Sequence, residues 1–185
     1  MLFLKAIVSK QLKALLGVFL FLALSGFSPK PQTVTDEYNL KAAFIYNFTR
    51  YIDWGGYAAN KEFVIGIIGE SAIHEPLEDI ANTKTVDGKK IVIRKFNSPD
   101  EIGFCHILFI SRNSTWSLKE IMEKATDKGT LLVSEKTGFA EQGTAINFII
   151  MDNKLKFEAN TKSINSAGLK ASSQLLKLAI LVDEG

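Results

Sequence analysis

Continuous apolar runs alternate with amphipathic stretches along this chain, and that alternation predicts its elements. Residues 36–52 keep an apolar stripe at helical spacing (Tyr38, Ala42, Ile45, Phe48 and Ile52), widened by Phe44 and Tyr51. Thr33, with Asp36 three positions on, supplies an N-terminal cap, and Asp53-Trp54-Gly55-Gly56 ends the helix. Residues 63–69 form a fully apolar strand, too continuous to face water on one side. A short helix over 73–81 follows, then a turn at Val86-Asp87-Gly88 and a second strand over 90–96. Ser98-Pro99-Asp100 opens one helical turn. A third strand, 106–110, precedes an amphipathic helix over 117–126 with Leu118, Ile121 and Met122 inward; Lys128-Gly129 ends it before a fourth strand at 130–133.

The pattern changes after residue 143. Two apolar runs, 144–151 and 155–159, flank Asp152-Asn153-Lys154 and read as an antiparallel hairpin. Asn160 is a good N-cap, and the apolar positions Ile164, Leu169, Leu175, Leu176, Leu178, Ala179 and Val182 extend one helix to about residue 182. Ser172-Ser173-Gln174 inside that helix reads as small residues that permit close packing. The predicted class is α/β: a mainly parallel or mixed sheet flanked by helices, closing with an antiparallel hairpin and a C-terminal helix.

The first 28 residues stand apart. Lys5, Lys10 and Lys13 lead into an apolar run from Ala14 to Leu24, and the small residues Ser25, Gly26 and Ser28 follow. This is the pattern of a secretory signal peptide, with cleavage after Ser25 or Ser28. The run is too short for a hydrocarbon core of about 30 Å, although Met1 to Leu4 are apolar and would lengthen an uncleaved anchor. Residues 29–35 read as a polar linker, and 36–185 as one domain of sufficient size to bury a core. The whole chain carries 22 basic and 20 acidic residues. The leader holds three of the lysines and no acid, so the remainder has a net charge of −1 and no positive field to attract nucleic acid. The single cysteine, Cys105, excludes an internal disulfide and reads as a buried structural thiol.

The chemistry-bearing residues are sparse. The two histidines, His74 and His106, stand in no metal-ligating spacing, and no serine lies in a Gly-x-Ser-x-Gly elbow. Gly66-Ile67-Ile68-Gly69-Glu70-Ser71 lacks the third glycine of a dinucleotide loop and the lysine of a P-loop. No catalytic constellation, cofactor or metal is expected. A strand end at a topological switch could still hold a small polar ligand, with Glu70, Ser71 and Ser111 as candidate lining residues.

Several segments taken together are more specific than any single motif. Lys41-Ala42-Ala43-Phe44-Ile45-Tyr46-Asn47-Phe48 leads to Asp53-Trp54. Cys105-His106-Ile107-Leu108-Phe109-Ile110-Ser111 precedes Gly138-Phe139-Ala140, Gly143 and Ile146-Asn147-Phe148. Phe157-Glu158-Ala159-Asn160 and the block from Ala167-Gly168-Leu169-Lys170 to Leu178-Ala179 complete the order. In this order and spacing the chain resembles the YfiR family over roughly residues 38–182. The resemblance implies a periplasmic, non-enzymatic regulator that holds an inner-membrane diguanylate cyclase inactive, lowering cyclic-di-GMP and biofilm formation. It also implies sequestration by a peptidoglycan-associated outer-membrane lipoprotein, and a homodimer. Family members also occur beside sensor kinases, so a sensor kinase is the alternative partner. Cys105 matches a family cysteine whose partner is missing here.

A repressor must expose a contact surface. Phe139 lies in the loop 135–143 between Gly138 and Ala140, where a large ring has no periodic reason to be, and Glu141 lies beside it. These two, with Trp54 and Tyr57 at the end of the first helix, are the candidate partner-binding residues; burial against the core is the competing expectation for Phe139 and for Trp54 with Tyr57. A small-ligand binding module is the alternative function.

Overall fold

The computed structural model describes residues 34–56, 61–125 and 129–182. The leader, linker residues 29–33, Tyr57, Thr126 and Lys128 lie outside the described residues. Helix α1 (Val34–Phe48) is followed by β1 (Ile52–Asp53), β2 (Glu62–Ile68), α2 (His74–Thr83), β3 (Thr85–Val86) and β4 (Lys89–Phe96). A 3-10 turn (Pro99–Glu101) leads to β5 (Ile107–Ile110), α3 (Leu118–Lys124), β6 (Leu131–Ser134), β7 (Ile146–Met151) and β8 (Lys154–Asn160). Then come α4 (Thr161–Ser166), β9 (Lys170–Ala171), α5 (Ser173–Leu178) and β10 (Ile180–Val182).

Eight strands form one mixed sheet in the order β3-β4-β2-β5-β6-β7-β8-β10. The run β4-β2-β5-β6-β7 is parallel; β3 and β8 pair antiparallel to its ends, and β10 runs parallel to β8. The chain winds from β2 outward to β4, then returns to β5 on the other side of β2. The carboxyl ends of β2 and β5 therefore form the switch point of the sheet.

Period-two alternation with both faces covered explains the continuous apolar strands. On β2, Phe63, Ile65 and Ile67 enter one core layer with Ile45 and Phe48 of α1 and Leu77 of α2. Val64 and Ile68 enter a second layer with Leu118 and Ile121 of α3. Phe44 and Phe48 of α1 meet Phe148 of β7 and Phe157 of β8 with ring centroids 5.3–6.1 Å apart, which seats α1 on the hairpin. Cys105 is buried in the second layer and forms no disulfide. His106 is buried in the sheet, where its Nδ1 accepts a hydrogen bond from the Val64 N–H at 3.0 Å.

The long C-terminal helix expected over 161–182 is not formed. Gly168 adopts a left-handed φ of +75° and the Leu169 N–H returns to the Ile164 carbonyl at 3.1 Å, a helix stop that glycine permits. Ser172 then caps α5 by accepting from the Leu175 N–H at 3.2 Å, so Ser172-Ser173 begin a helix rather than pack within one. The β-branched Ile180 and Val182 close the chain as edge strand β10. The first helix also stops early, at Phe48, and Ile52 joins β1, which pairs with β9.

The central strands differ in length, with a local consequence. β6 pairs Val133 with Ile146 and Ser134 with Asn147, then turns away; β7 continues to Met151 paired only with β8.

Candidate functional site

Four charged side chains meet where β5 and β6 end. Lys41 occupies the apolar stripe of α1 and is only 1% exposed; Glu135, the residue after β6, has a fully buried side chain. Lys41 bonds both Glu135 and Glu37, which lies one helical turn before it. Arg112, two residues beyond β5, donates from Nη2 to Glu37 at 2.8 Å and to Glu135 at 3.1 Å. Charge thus alternates around a closed ring of Glu37, Lys41, Glu135 and Arg112. Glu135 additionally accepts from the Tyr38 hydroxyl at 3.2 Å and the Arg112 backbone N–H at 3.1 Å. A buried charge needs this degree of pairing, because desolvation otherwise costs several kcal/mol per ion.

The ring sets the local acid–base behaviour. Burial alone would raise the Glu37 carboxyl, but hydrogen bonding and the positive charges of Lys41 and Arg112 outweigh it and hold Glu37 below the usual carboxylate value. Burial and the Glu135 carboxylate push the Tyr38 phenol up. Burial opposes the Arg112 charge, and Glu135 outweighs that opposition, so Arg112 is raised. A depressed carboxyl stabilises the fold above its unfolded pKa, and that stabilisation is lost as pH falls through its folded value. Stability is therefore expected to fall on acidification below about pH 4.5, with a smaller fall in Glu37→Gln. Urea midpoints at neutral and acid pH check this, and equal falls in the two proteins would remove Glu37 as the source.

The ring forms one end of a groove of about 640 Å³. Lys41, Arg112, Glu135 and Lys136 line that end; Phe139, Phe148, Ile150 and Leu155 supply the apolar walls. Phe139 is half-buried. One side packs on the second core layer, and Lys136 Nζ lies 5.3 Å from the ring centroid. Turns hold the loop, and Asn160 Nδ2 donates to the Ala140 carbonyl at 2.9 Å. Glu141 is exposed on the same loop. Phe139 therefore lines the same groove as Lys41, Arg112 and Glu135, and Glu141 is not among its lining residues.

Trp54 corrects the expectation of an exposed contact. It is 5% exposed, its ring meets Phe63 edge-on at 5.2 Å, and Nε1 donates to the His106 carbonyl at 3.2 Å. Its indole is core, because burying the ring and satisfying its one donor are achieved together.

The switch-point residues divide between two roles. A crevice of about 210 Å³ lies between the exits of β2, β4 and β5, lined by Glu70, Ser71, His74, Lys95, Asn113 and Trp116 among others. Ser111 is not on its wall. The buried Ser111 hydroxyl donates to the Glu70 carbonyl at 2.6 Å and accepts from the Asn113 N–H at 3.1 Å, tying the β2 and β5 exits together. Ser71 accepts from the Ile73 N–H at 3.2 Å ahead of α2. Among the described residues, no group of three His, Cys, Asp or Glu side chains could hold a metal ion.

A family model described as YfiR/HmsC-like matches residues 38–180. The chain belongs to that family. The YfiR/HmsC-like match runs from Tyr38 within α1 to the start of β10; it takes in the groove, the crevice and three of the four ring residues, with Glu37 one position before its start. The family is periplasmic and of a regulatory, non-catalytic kind. No curated protein sequence matches the chain. Among the described residues, no helix is long and apolar enough to cross a membrane.

Sequence reasoning missed the ring. Its signal was a lysine within the apolar stripe, at position 41 between Tyr38 and Ile45, with an acid four residues before it. Glu135 and Arg112 carried no comparable local signal, since each simply follows a strand.

Proposed function

We propose that this protein is a periplasmic regulator that binds the periplasmic part of a membrane diguanylate cyclase and holds it inactive, lowering cyclic-di-GMP and biofilm formation. The observation that carries this reading is the YfiR/HmsC-like match across the folded domain. The groove supports it as the contact face: a half-buried Phe139 lines it together with the exposed apolar Ile150. Such a cluster is what a protein partner buries. Regulation requires that this face fit one state of the cyclase better than the other.

Phe139→Ala tests the face. It is expected to weaken cyclase binding by about 1.5 kcal/mol, roughly tenfold, and to raise cyclic-di-GMP while the circular dichroism spectrum is kept. Unchanged affinity with an intact fold would take Phe139 out of the interface. Failure to recover any diguanylate cyclase with the wild-type protein from solubilised native membranes would sink the repressor reading itself.

A further inference from the structure

We infer that the open flank of β7 receives an extended apolar segment of the partner, carrying one carboxylate and added as a strand in line with β6. The inference deepens the regulatory reading above and rests on it for the identity of the partner. Past Ser134 and Asn147, no strand among the described residues pairs with the β6 side of β7. The hairpin turn determines which backbone groups face that side. Asp152 and Asn153 both have left-handed φ (+52° and +56°), the two-residue turn whose flanking pair, Met151 and Lys154, is hydrogen-bonded. Antiparallel pairs alternate, so Phe148 and Ile150 turn their N–H and C=O away from β8 and toward the open flank.

The side chains there are suited to a partner rather than to solvent. Ile150 is 53% and Met151 41% exposed, and Phe148 to Met151 includes no charged residue. The other long strands with an open flank carry cations there instead: Arg94 and Lys95 on β4 past its pairing with β3, and Lys154 and Lys156 on β8 before its pairing with β10. Lysines on an edge repel added strands. The molecule therefore guards β4 and leaves β7 unguarded. The groove lies directly along the unguarded flank, with Phe148, Ile149 and Ile150 on its wall.

Charge at the groove end selects the occupant. Lys136 has no acidic partner among the described residues; its Nζ donates to the Ser114 carbonyl at 3.0 Å. Arg112 is half-exposed and commits only Nη2 to Glu37 and Glu135. A carboxylate on the incoming strand would accept from both cations, and its successive side chains would alternate between the face of Phe139 and the face of Ile150.

The test is a titration of the isotopically labelled protein with the capped peptide Thr-Val-Thr-Val-Glu-Val, followed by amide resonances. The expected result is a saturable shift centred on Phe148 and Ile150. The peptide with Lys in place of Glu should bind about tenfold more weakly, and one N-methylated at alternate residues should not bind. Ile150→Pro removes an outward-facing N–H without breaking a hairpin bond; it should weaken binding at least about tenfold and release the cyclase in cells. No saturable shift, or equal binding by the N-methylated peptide, would overturn the proposal. So would self-association producing the same shifts, which would make the occupant a second copy. Ile150→Pro protein that still represses the cyclase would also overturn it, with the repressor reading intact. If the wild-type protein binds no cyclase, the regulatory reading fails, and the peptide titration decides the strand site independently.

Discussion

Glu135→Ala is expected to cost about 3–5 kcal/mol of unfolding free energy, the penalty of breaking a buried ion pair from one side. Four donors lose an acceptor at once: the buried Lys41 ammonium, the Tyr38 hydroxyl, and the backbone amide and guanidinium of Arg112. Glu37 still touches Lys41, but it is also bound by Arg112 and lies nearer the surface. Urea unfolding measures the effect, and a loss under about 1 kcal/mol would mean that Glu37 alone neutralises Lys41. The double replacement Lys41→Met with Glu135→Leu should recover most of the loss, because an apolar pair of similar volume removes both desolvation costs. The comparison separates the penalty of stranding a charge from the net worth of the ring.

The second large effect is expected at Gly69, in the exit loop of β2. Its φ is +85°, and a Cβ there would lie 2.9 Å from Cα of Ser114 and 3.0 Å from its backbone nitrogen, in the loop after β5. Gly69→Ala combines left-handed strain with a backbone clash, together about 2–5 kcal/mol. Gly88 is the matched control: its φ is +77° and nothing lies within 4 Å of the added Cβ. Gly88→Ala should cost only the strain, about 1–2 kcal/mol. Equal losses at the two sites, measured by denaturant midpoints, would show that the loops after β2 and β5 can separate freely.

The parts of the fold that were legible in the sequence are those specified by local pattern. Phe63 to Ile68 reads as a strand buried on both faces because no polar residue interrupts it. The hairpin reads from two apolar runs about Asp152-Asn153. The C-terminal region misled because its apolar positions fit a helical stripe, while the punctuation within it, Gly168 as a stop and Ser172 as a new cap, is visible only once helix ends are weighed against periodicity. The ring was illegible for a different reason. Its members come from positions 37, 41, 112 and 135, and only the winding of the sheet brings the exits of β5 and β6 under α1. Trp54 and Phe139 looked alike in sequence, each an aromatic beside glycine or alanine in a loop. One proved to be core and the other a half-buried groove wall, a distinction set by which strand happens to pass beneath.

The aromatic seat of α1 has a consequence for how the chain is born. Phe48 and Phe148 stack across a hundred positions of sequence. Synthesis proceeds from the N-terminus, so α1 exists long before the hairpin that covers it. Until Phe148 and Phe157 arrive, Phe44 and Phe48 lack the rings that seat α1 on the hairpin, and the nascent chain carries an apolar face that β2 and α2 cover only in part. Any product truncated before β8 keeps that face for good, which makes this helix the natural place for a holdase to grip and for a protease to recognise failure.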